Sequence, residues 1–380
     1  MRKPLSLYIH IPFCNSKCIY CSFVSCVAGN NQKQLYTDAL INEIKIRGRE
    51  YNPTHEIKTI YVGGGTPSCL ENGEIRRIMS AVYQNFTVVN GAEITIEINP
   101  NTLTDEKIRE YQMSGFNRFS LGLQCAQAPL LKLMGRTHTW NDYEKAIKML
   151  KTSGFDNIST DIMLGLPTQT KNDVKETLNK VISLGVTHIS AYMLSVEDET
   201  PLKRMVDSSQ LLLPTEKETL LMYKTTAETL KANGYDRYEV SNWSKPGFQS
   251  AHNKVYWSRG DYLGLGVSSH SFINPVRLAN TENILEYVNN ITKGKVPVVE
   301  ADKISVDEAK EEFVMLSLRL ETGLDTNEYE RQFKENFLAK HKEKISELFK
   351  LKLLTLNAEG FLKPTETGYM LLNKIILELV

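Results

Sequence analysis

Three thiols crowded into one short loop constrain this chain more than any other feature. Cys14, Cys18 and Cys21 stand at C-x3-C-x2-C spacing in the run SLYIHIPFCNSKCIYCSF. An extended apolar run, Leu7 to Ile11, leads into them, and Pro12 and Phe13 turn the chain off that run. Thiols spaced so tightly can converge on one small metal centre, because thiolates are preferred ligands of zinc and of iron–sulfur clusters. A disulfide framework does not suit the chain. It has six cysteines in 380 residues, no secretory pattern in MRKPLSLYIHI, and an ordinary intracellular composition. Cys69 and Cys125 are expected to be plain buried thiols, as is Cys26 unless its place five residues past Cys21 gives it a role, which makes it the first candidate for an exception.

Two metal readings compete. One is structural zinc, closed and four-coordinate, with His10 as the fourth ligand. The other is a [4Fe–4S] cluster with three protein ligands and one open iron. Phe23, not a thiol, stands two residues after Cys21. An open iron can hold a small molecule, which a closed zinc site cannot.

Along the chain, short β-branched runs alternate with amphipathic stretches. Strands are expected at 5–10, 57–62, 93–98, 118–121, 157–163 and 187–192. Helices are expected at 34–47, 70–84, 104–114, 142–152, 171–184 and 215–233, and Gly115, Gly154, Gly185 and Gly234 follow four of them as caps. Six such units in a row argue for a parallel α/β sheet wrapped by helices, open or curled into a partial barrel. Ligands of such folds sit at the C-terminal ends of the strands, and the cysteines follow the first strand.

Other strand ends carry polar groups. The second ends in Tyr61-Val-Gly63-Gly64-Gly65-Thr66-Pro67, where glycines permit close backbone approach or simply a tight turn. Glu97 lies near the end of EITIEINP, a candidate acceptor for ribose hydroxyls, and Gln124 stands at the equivalent edge of the fourth strand. Arg136 in MGRTH and Asp161 in STDIMLGLP complete the set. A zinc site predicts none of these.

Further on, His252, Asn253, Tyr256 and Trp257 form H-N-x-x-Y-W. An imidazole flanked by two aromatics offers an iron ligand and flat apolar walls, which suits a porphyrin, although a lone histidine also serves readily as a core residue. Gly264 and Gly266 let backbone approach closely beside it. His270 has no assignable role. After Val299 the composition changes. Ser305 and Glu308 resemble a capping box, and helices plus a hairpin near 354–361 suggest a winged-helix-like module. It is read as a packing domain. Lys+Arg and Asp+Glu both total 45, so no basic excess points to nucleic acid or to a membrane surface. No apolar stretch approaches the roughly 20 residues a bilayer span needs.

The segment YIHIPFCxxxCxxC resembles the radical S-adenosylmethionine (SAM) superfamily. The branch is that of oxygen-independent coproporphyrinogen III oxidases and HemW-type heme chaperones. The resemblance implies a partial (β/α)6 TIM-like barrel with a [4Fe–4S] cluster on Cys14, Cys18 and Cys21, SAM chelating the open iron, and a small C-terminal domain. It further implies that Gly64, Gly65 and Thr66 hold the SAM amino group through their backbone. Tyr8, Glu97, Gln124, Arg136 and Asp161 would be further SAM contacts. H-N-x-x-Y-W is associated with heme in the chaperones, which makes His252 the candidate heme ligand, with Tyr256 and Trp257 lining its pocket. The oxidases carry a fourth cysteine where Phe23 stands, and a longer extension before the cluster. The expected protein is a cytoplasmic heme chaperone, peripheral at the membrane through its heme acceptor, such as a respiratory enzyme. The alternatives are the oxidase and a radical SAM methyltransferase acting on heme. The expected domains are 1–235 for the barrel, 236–300 as a connecting segment bearing the heme motif, and 301–380.

Overall fold

The computed structural model describes residues 2–380. Six parallel strands form its centre: β1 (Lys3–Ile11), β2 (His55–Gly64), β3 (Val88–Ile98), β4 (Arg118–Gln124), β5 (Ile158–Leu164) and β6 (His188–Met193). They hydrogen-bond in sequence order, with a helix on each crossover. Each expected strand and helix is present, and the four capping glycines adopt the left-handed backbone that ends a helix.

Parallel strands buried on both faces usually read as continuous apolar runs. These alternate. Leu7, Ile9, Ile60, Val62, Ile96, Phe119, Leu121, Ile162 and Ile189 lie on one face, in the main core beneath the helices. The other face carries Ser6, Tyr8 and His10 on β1, Thr59 and Tyr61 on β2, and Glu93, Thr95 and Glu97 on β3. It continues with Arg118 and Ser120 on β4, Ser159 and Asp161 on β5, and His188 and Ser190 on β6. The register keeps these in step: Tyr8 opposes Tyr61, Tyr61 opposes Thr95, Thr95 opposes Arg118, and Asp161 opposes Ser190. Period-two alternation puts every second residue on one side, so the sheet curls around a polar interior. The result is a partial barrel: its strand order runs between two edges and does not close.

Residues 236–300 do more than the expected connector. Strands β7 (Asp236–Glu239) and β8 (Asn242–Ser244) extend the sheet beyond β6. Strands β9 (Tyr262–Leu265), β10 (His270–Ile273), β11 (Val276–Asn280) and β12 (Val298–Lys303) extend it beyond β1, giving twelve strands. Such short runs carry little periodicity, so their pairing is set by the edges they meet.

Glu43, on the helix Asn30–Tyr51, fastens this extension. It is fully buried and accepts from Gly266 N (2.6 Å), Asn280 Nδ2 (2.8 Å) and the Tyr287 hydroxyl (2.6 Å). Tyr36, two turns earlier, donates to the His10 carbonyl (2.8 Å) and accepts from Val267 N (3.1 Å).

The C-terminal part has its own core, around Leu318, Tyr329, Phe337, Leu362 and Ile375. Helices surround a small antiparallel sheet of β13 (Leu324–Asp325), β14 (Leu354–Leu356) and β15 (Phe361–Pro364). The Ser305–Glu308 capping box starts its first helix. No described helix is long and apolar enough to cross a membrane.

Replacing Glu43 with leucine strands two buried donors, Gly266 N and the Tyr287 hydroxyl, and takes one of three acceptors from Asn280 Nδ2. Glu43→Leu should lose about 3 kcal/mol or more of stability, whereas Glu43→Gln, which keeps one acceptor, should lose less. Denaturant midpoints of the two variants measure this.

Candidate metal centre and cofactor pocket

The cysteine loop leaves the top of β1 and lies against the glycine turn that ends β2. Parallel pairing continues past both strands: Gly65 N donates to Ile11 O (2.9 Å) and Thr66 N to Phe13 O (2.7 Å). No side chain fits between them. A Cβ on Gly65 would stand 2.7 Å from Phe13 O, and one on Gly64, at φ +110°, 2.5 Å from the His10 ring. The glycines therefore serve the loop as well as any ligand. Cys26 closes the loop through its backbone, donating to Pro12 O (2.9 Å) and accepting from Cys14 N (3.0 Å).

His10 is not placed as a fourth metal ligand. Its Nε2 bonds to Val24 O (3.0 Å) and its Nδ1 to the Tyr8 hydroxyl (3.1 Å), so it ties the loop to the strand. Among the described residues no three His, Cys, Asp or Glu side chains gather as they would around a single ion. Cluster ligands bind separate irons and stand further apart than ligands of one ion.

The three thiols instead share the wall of a cavity of about 520 Å³. Gly64, Gly65, Thr66, Glu97, Gln124, Arg136 and Asp161 line the same cavity, so the polar strand ends converge as expected. Gln124 enters by a local distortion: the register slips between Gly122 and Gln124, and Gln124 adopts φ +69°. A non-glycine residue in that region marks a bulge that re-aims a side chain.

The thiols are met by donors. Thr66 Oγ1 lies 3.5 Å from Cys14 Sγ and Arg136 Nη1 lies 3.7 Å from Cys18 Sγ, while Arg136 Nη2 donates to Gly122 O (2.6 Å). Burial pushes the Cys21 thiol up, opposed by a hydrogen bond from the Phe23 backbone. Arg136 Nε and Asn99 Oδ1, both buried on the cavity wall, have no protein partner. The thiol set and these unpaired groups fit a sulfur-ligated cluster with a polar ligand beside it.

Glu97 is a perturbed carboxylate of the wall. Burial raises its pKa to about 7, with the nearby Asp161 charge adding to this and hydrogen bonds from Tyr61 and Gly64 opposing it. The Tyr61 hydroxyl donates at 2.8 Å and Gly64 N at 3.2 Å. Burial raises the Asp161 pKa too, against hydrogen bonds from Ser190 and Ser120 and the Arg118 and Arg136 charges.

Four expected site residues lie elsewhere. Tyr8 does not line the cavity; its ring stacks on Tyr61 (6.3 Å, 27°) from behind. His252 sits on the helix Ala251–Trp257, below the pocket, and is 1% exposed. Its Nδ1 bonds to Thr59 Oγ1 (2.7 Å) and its Nε2 to the Tyr256 hydroxyl (2.8 Å). Both ring nitrogens are taken, so the expected iron ligand has no free lone pair in this fold. Tyr256 packs edge-on against His252 and Tyr262, and Trp257 is half-buried at the helix end, so neither forms a wall of the cavity. Gly264 and Gly266 accommodate the backbone instead: their Cβ positions are 2.2 Å from His270 O and 2.7 Å from His10 O. His270 itself is exposed.

Tyr61, Ser120 and Tyr192 also line the cavity and were not singled out from the sequence. Their signal was there, as polar residues in step with Glu97 and Asp161 in otherwise apolar strands.

Comparison with known proteins agrees with this geometry. Residues 8–181 match the Radical SAM superfamily and residues 304–371 the HemN C-terminal domain. The heme chaperone HemW of Lactococcus lactis is 34% identical, over 99% of this chain and 97% of its own. That of Bacillus subtilis is 31% identical, over 96% and 94%. The chain belongs to the HemW family of radical SAM proteins. HemW of Escherichia coli is 36% identical over 70% of each chain. The solved structure of E. coli coproporphyrinogen III oxidase (HemN), a radical SAM enzyme, superposes with a TM-score of 0.86 at 24% identity, covering 100% of this chain and 90% of that one. At that identity the likeness shows the fold alone. Radical SAM membership implies a [4Fe–4S] cluster and SAM.

Because Gly65 touches the loop backbone, Gly65→Ala must displace the cysteines. We expect its iron content after anaerobic reconstitution to fall well below that of the parent protein, with folded helix content retained by circular dichroism.

Proposed function

We propose that this chain is a heme chaperone. It holds a [4Fe–4S] cluster on Cys14, Cys18 and Cys21 with SAM beside it, binds heme, and passes heme to an acceptor such as a respiratory enzyme. The carrying observation is that one cavity gathers the three thiols, the glycine turn, the polar strand ends Glu97, Gln124 and Asp161, and Arg136. The near-full-length heme chaperone relatives support the heme half of the reading.

The roles follow from the chemistry of each group. The N–H groups of Gly64, Gly65 and Thr66 are already used, by Glu97, Ile11 and Phe13. What the turn offers a ligand is carbonyl oxygen, which suits the SAM amino group. Glu97 accepts from ribose hydroxyls. Arg136, fixed by Gly122 and directed at Cys18, suits the SAM carboxylate. Gln124 and Asp161 complete the polar wall, and the two carboxylates favour a sulfonium cation. When bound, the cluster supplies the electron that radical SAM chemistry uses; the chain's own task is to orient SAM and exclude water. Phe23 (66% exposed) and Tyr192 (41%) stand on the cavity wall facing solvent, and Met193 (44%) follows Tyr192. They give the mouth an apolar rim suited to a porphyrin. The balanced charge and the free cysteines suit the cytoplasm, with membrane contact through the acceptor.

The competing reading is coproporphyrinogen III oxidase. The shared fold favours it no more than the chaperone, and Phe23 stands where the resemblance gives the oxidases a fourth cysteine. Anaerobically reconstituted protein should bind heme near one per chain and transfer it. Robust decarboxylation of coproporphyrinogen III would falsify the chaperone reading.

The raised Glu97 pKa sets a second test. A carboxyl lifted to about 7 is mostly protonated at pH 6 and mostly ionised at pH 8. The shift favours the folded state at low pH, and that advantage is lost as pH rises from the ordinary carboxylate range towards 7. Ligand binding runs the other way, since hydroxyl donors and a sulfonium need the anion. SAM affinity should rise about tenfold from pH 6 to pH 8, and Glu97→Gln should flatten that dependence, as read by equilibrium dialysis.

A further inference from the structure

The H-N-x-x-Y-W segment lies at the bottom of the barrel, away from the cysteines. Its helix meets the lower part of the sheet. Glu93, early on the polar face of β3, accepts from Ala251 N (2.9 Å) and His252 N (2.9 Å) and so caps the helix start. Thr59, two residues below Tyr61 on β2, holds the imidazole. In βα-barrels the bottom face serves stability and the top face chemistry. His252 nevertheless reaches upward. Its ring lies 5.2 Å from that of Tyr61, at 31°, and Tyr61 in turn donates its hydroxyl to Glu97 on the cavity wall.

We propose that His252 is a positioning residue for the SAM pocket, acting through Tyr61 on Glu97, and that it is not a heme-iron ligand. The inference rests on the reading that Glu97 holds SAM.

The geometry supports it in three ways. First, the Tyr61 ring is held from two sides, by Tyr8 at 6.3 Å and by His252 at 5.2 Å, so its hydroxyl has one direction in which to point. Removing the imidazole opens space under that ring. Second, the imidazole is itself fixed. Thr59 Oγ1 donates to Ser6 Oγ (2.7 Å), so the consistent tautomer has His252 Nδ1–H donating to Thr59 and Nε2 accepting from the Tyr256 hydroxyl. Coordination to iron would need the Nε2 lone pair that Tyr256 occupies. Third, burial and the nearby Arg118 charge lower the His252 pKa to about 3, which keeps the ring neutral and its two hydrogen bonds intact at physiological pH. A network of this kind transmits position because each buried member would otherwise be left unpaired.

The test uses full-length protein carrying a reconstituted cluster, with SAM and heme affinities measured separately. Glu97→Gln should weaken SAM binding about tenfold. Tyr61→Phe, which removes only the hydroxyl, and His252→Ala should each weaken it roughly threefold to tenfold. Heme affinity and iron content should stay at the parent values, and His252→Gln, which keeps donor and acceptor atoms, should recover part of the loss. If Glu97→Gln weakens SAM but Tyr61→Phe and His252→Ala do not, the inference fails and the SAM reading stands. If Glu97→Gln has no effect, both fall. Lost heme binding in His252→Ala with unchanged SAM affinity would make His252 a heme residue after all. Should His252→Ala fail to fold, Tyr61→Phe and His252→Gln still decide the matter.

Discussion

The structure depends on the close meeting of two backbones at the top of β1 and β2. The first strand delivers the cysteine loop and the second delivers three glycines to lie beneath it. Gly65 and Thr66 extend the parallel ladder onto Ile11 and Phe13, which turns a mobile type of segment into a continuation of the sheet. Because the ladder fixes the loop, the thiols keep their relation to Glu97, one strand away, and to Gln124 and Asp161 beyond it. Any side chain at Gly65 would break that relation at its source.

The second constraint is the polar interior. A sheet that buried apolar residues on both faces would flatten against a second layer of helices. Here the concave face carries hydroxyls, carboxylates, imidazoles and the buried Arg118, whose Nε and Nη2 make no hydrogen bond, Nε facing Glu93 at 3.9 Å as a loose ion pair. Such groups persist only where they serve each other or a bound polar ligand. The upper half opens into the cavity. The lower half is stoppered by the helix that bears His252, and the Tyr61 ring joins the two halves.

The six βα units were legible because each strand and helix carries its own period, and the C-terminal module because its capping box and hairpin are local. The cavity residues at strand ends were legible for a related reason. In a parallel sheet built in chain order, equivalent positions of successive strands must become neighbours, so Glu97, Gln124 and Asp161 could be grouped without knowing the curvature. The edge strands could not be read. β9 pairs with β1 across most of the chain's length, and nothing in four residues such as Tyr262–Leu265 names that partner. Tyr8 and His252 are the opposite case. Both carry the right chemistry, and only their depth in the barrel shows that Tyr8 backs Tyr61 and that His252 has both nitrogens engaged.

The sequence alone therefore determined the thiol loop, the glycine turn beneath it, the alternation of strands and helices, and the polar groups that face one another across the barrel. These follow from spacing and periodicity, which are properties of neighbouring residues. Only the tertiary structure decided how far each group stands from the cavity, which lone pairs are already in use, and where residues 236–300 attach. Those depend on contacts between residues distant in sequence, such as Glu43 with Asn280 and Thr59 with His252, and no local pattern encodes them.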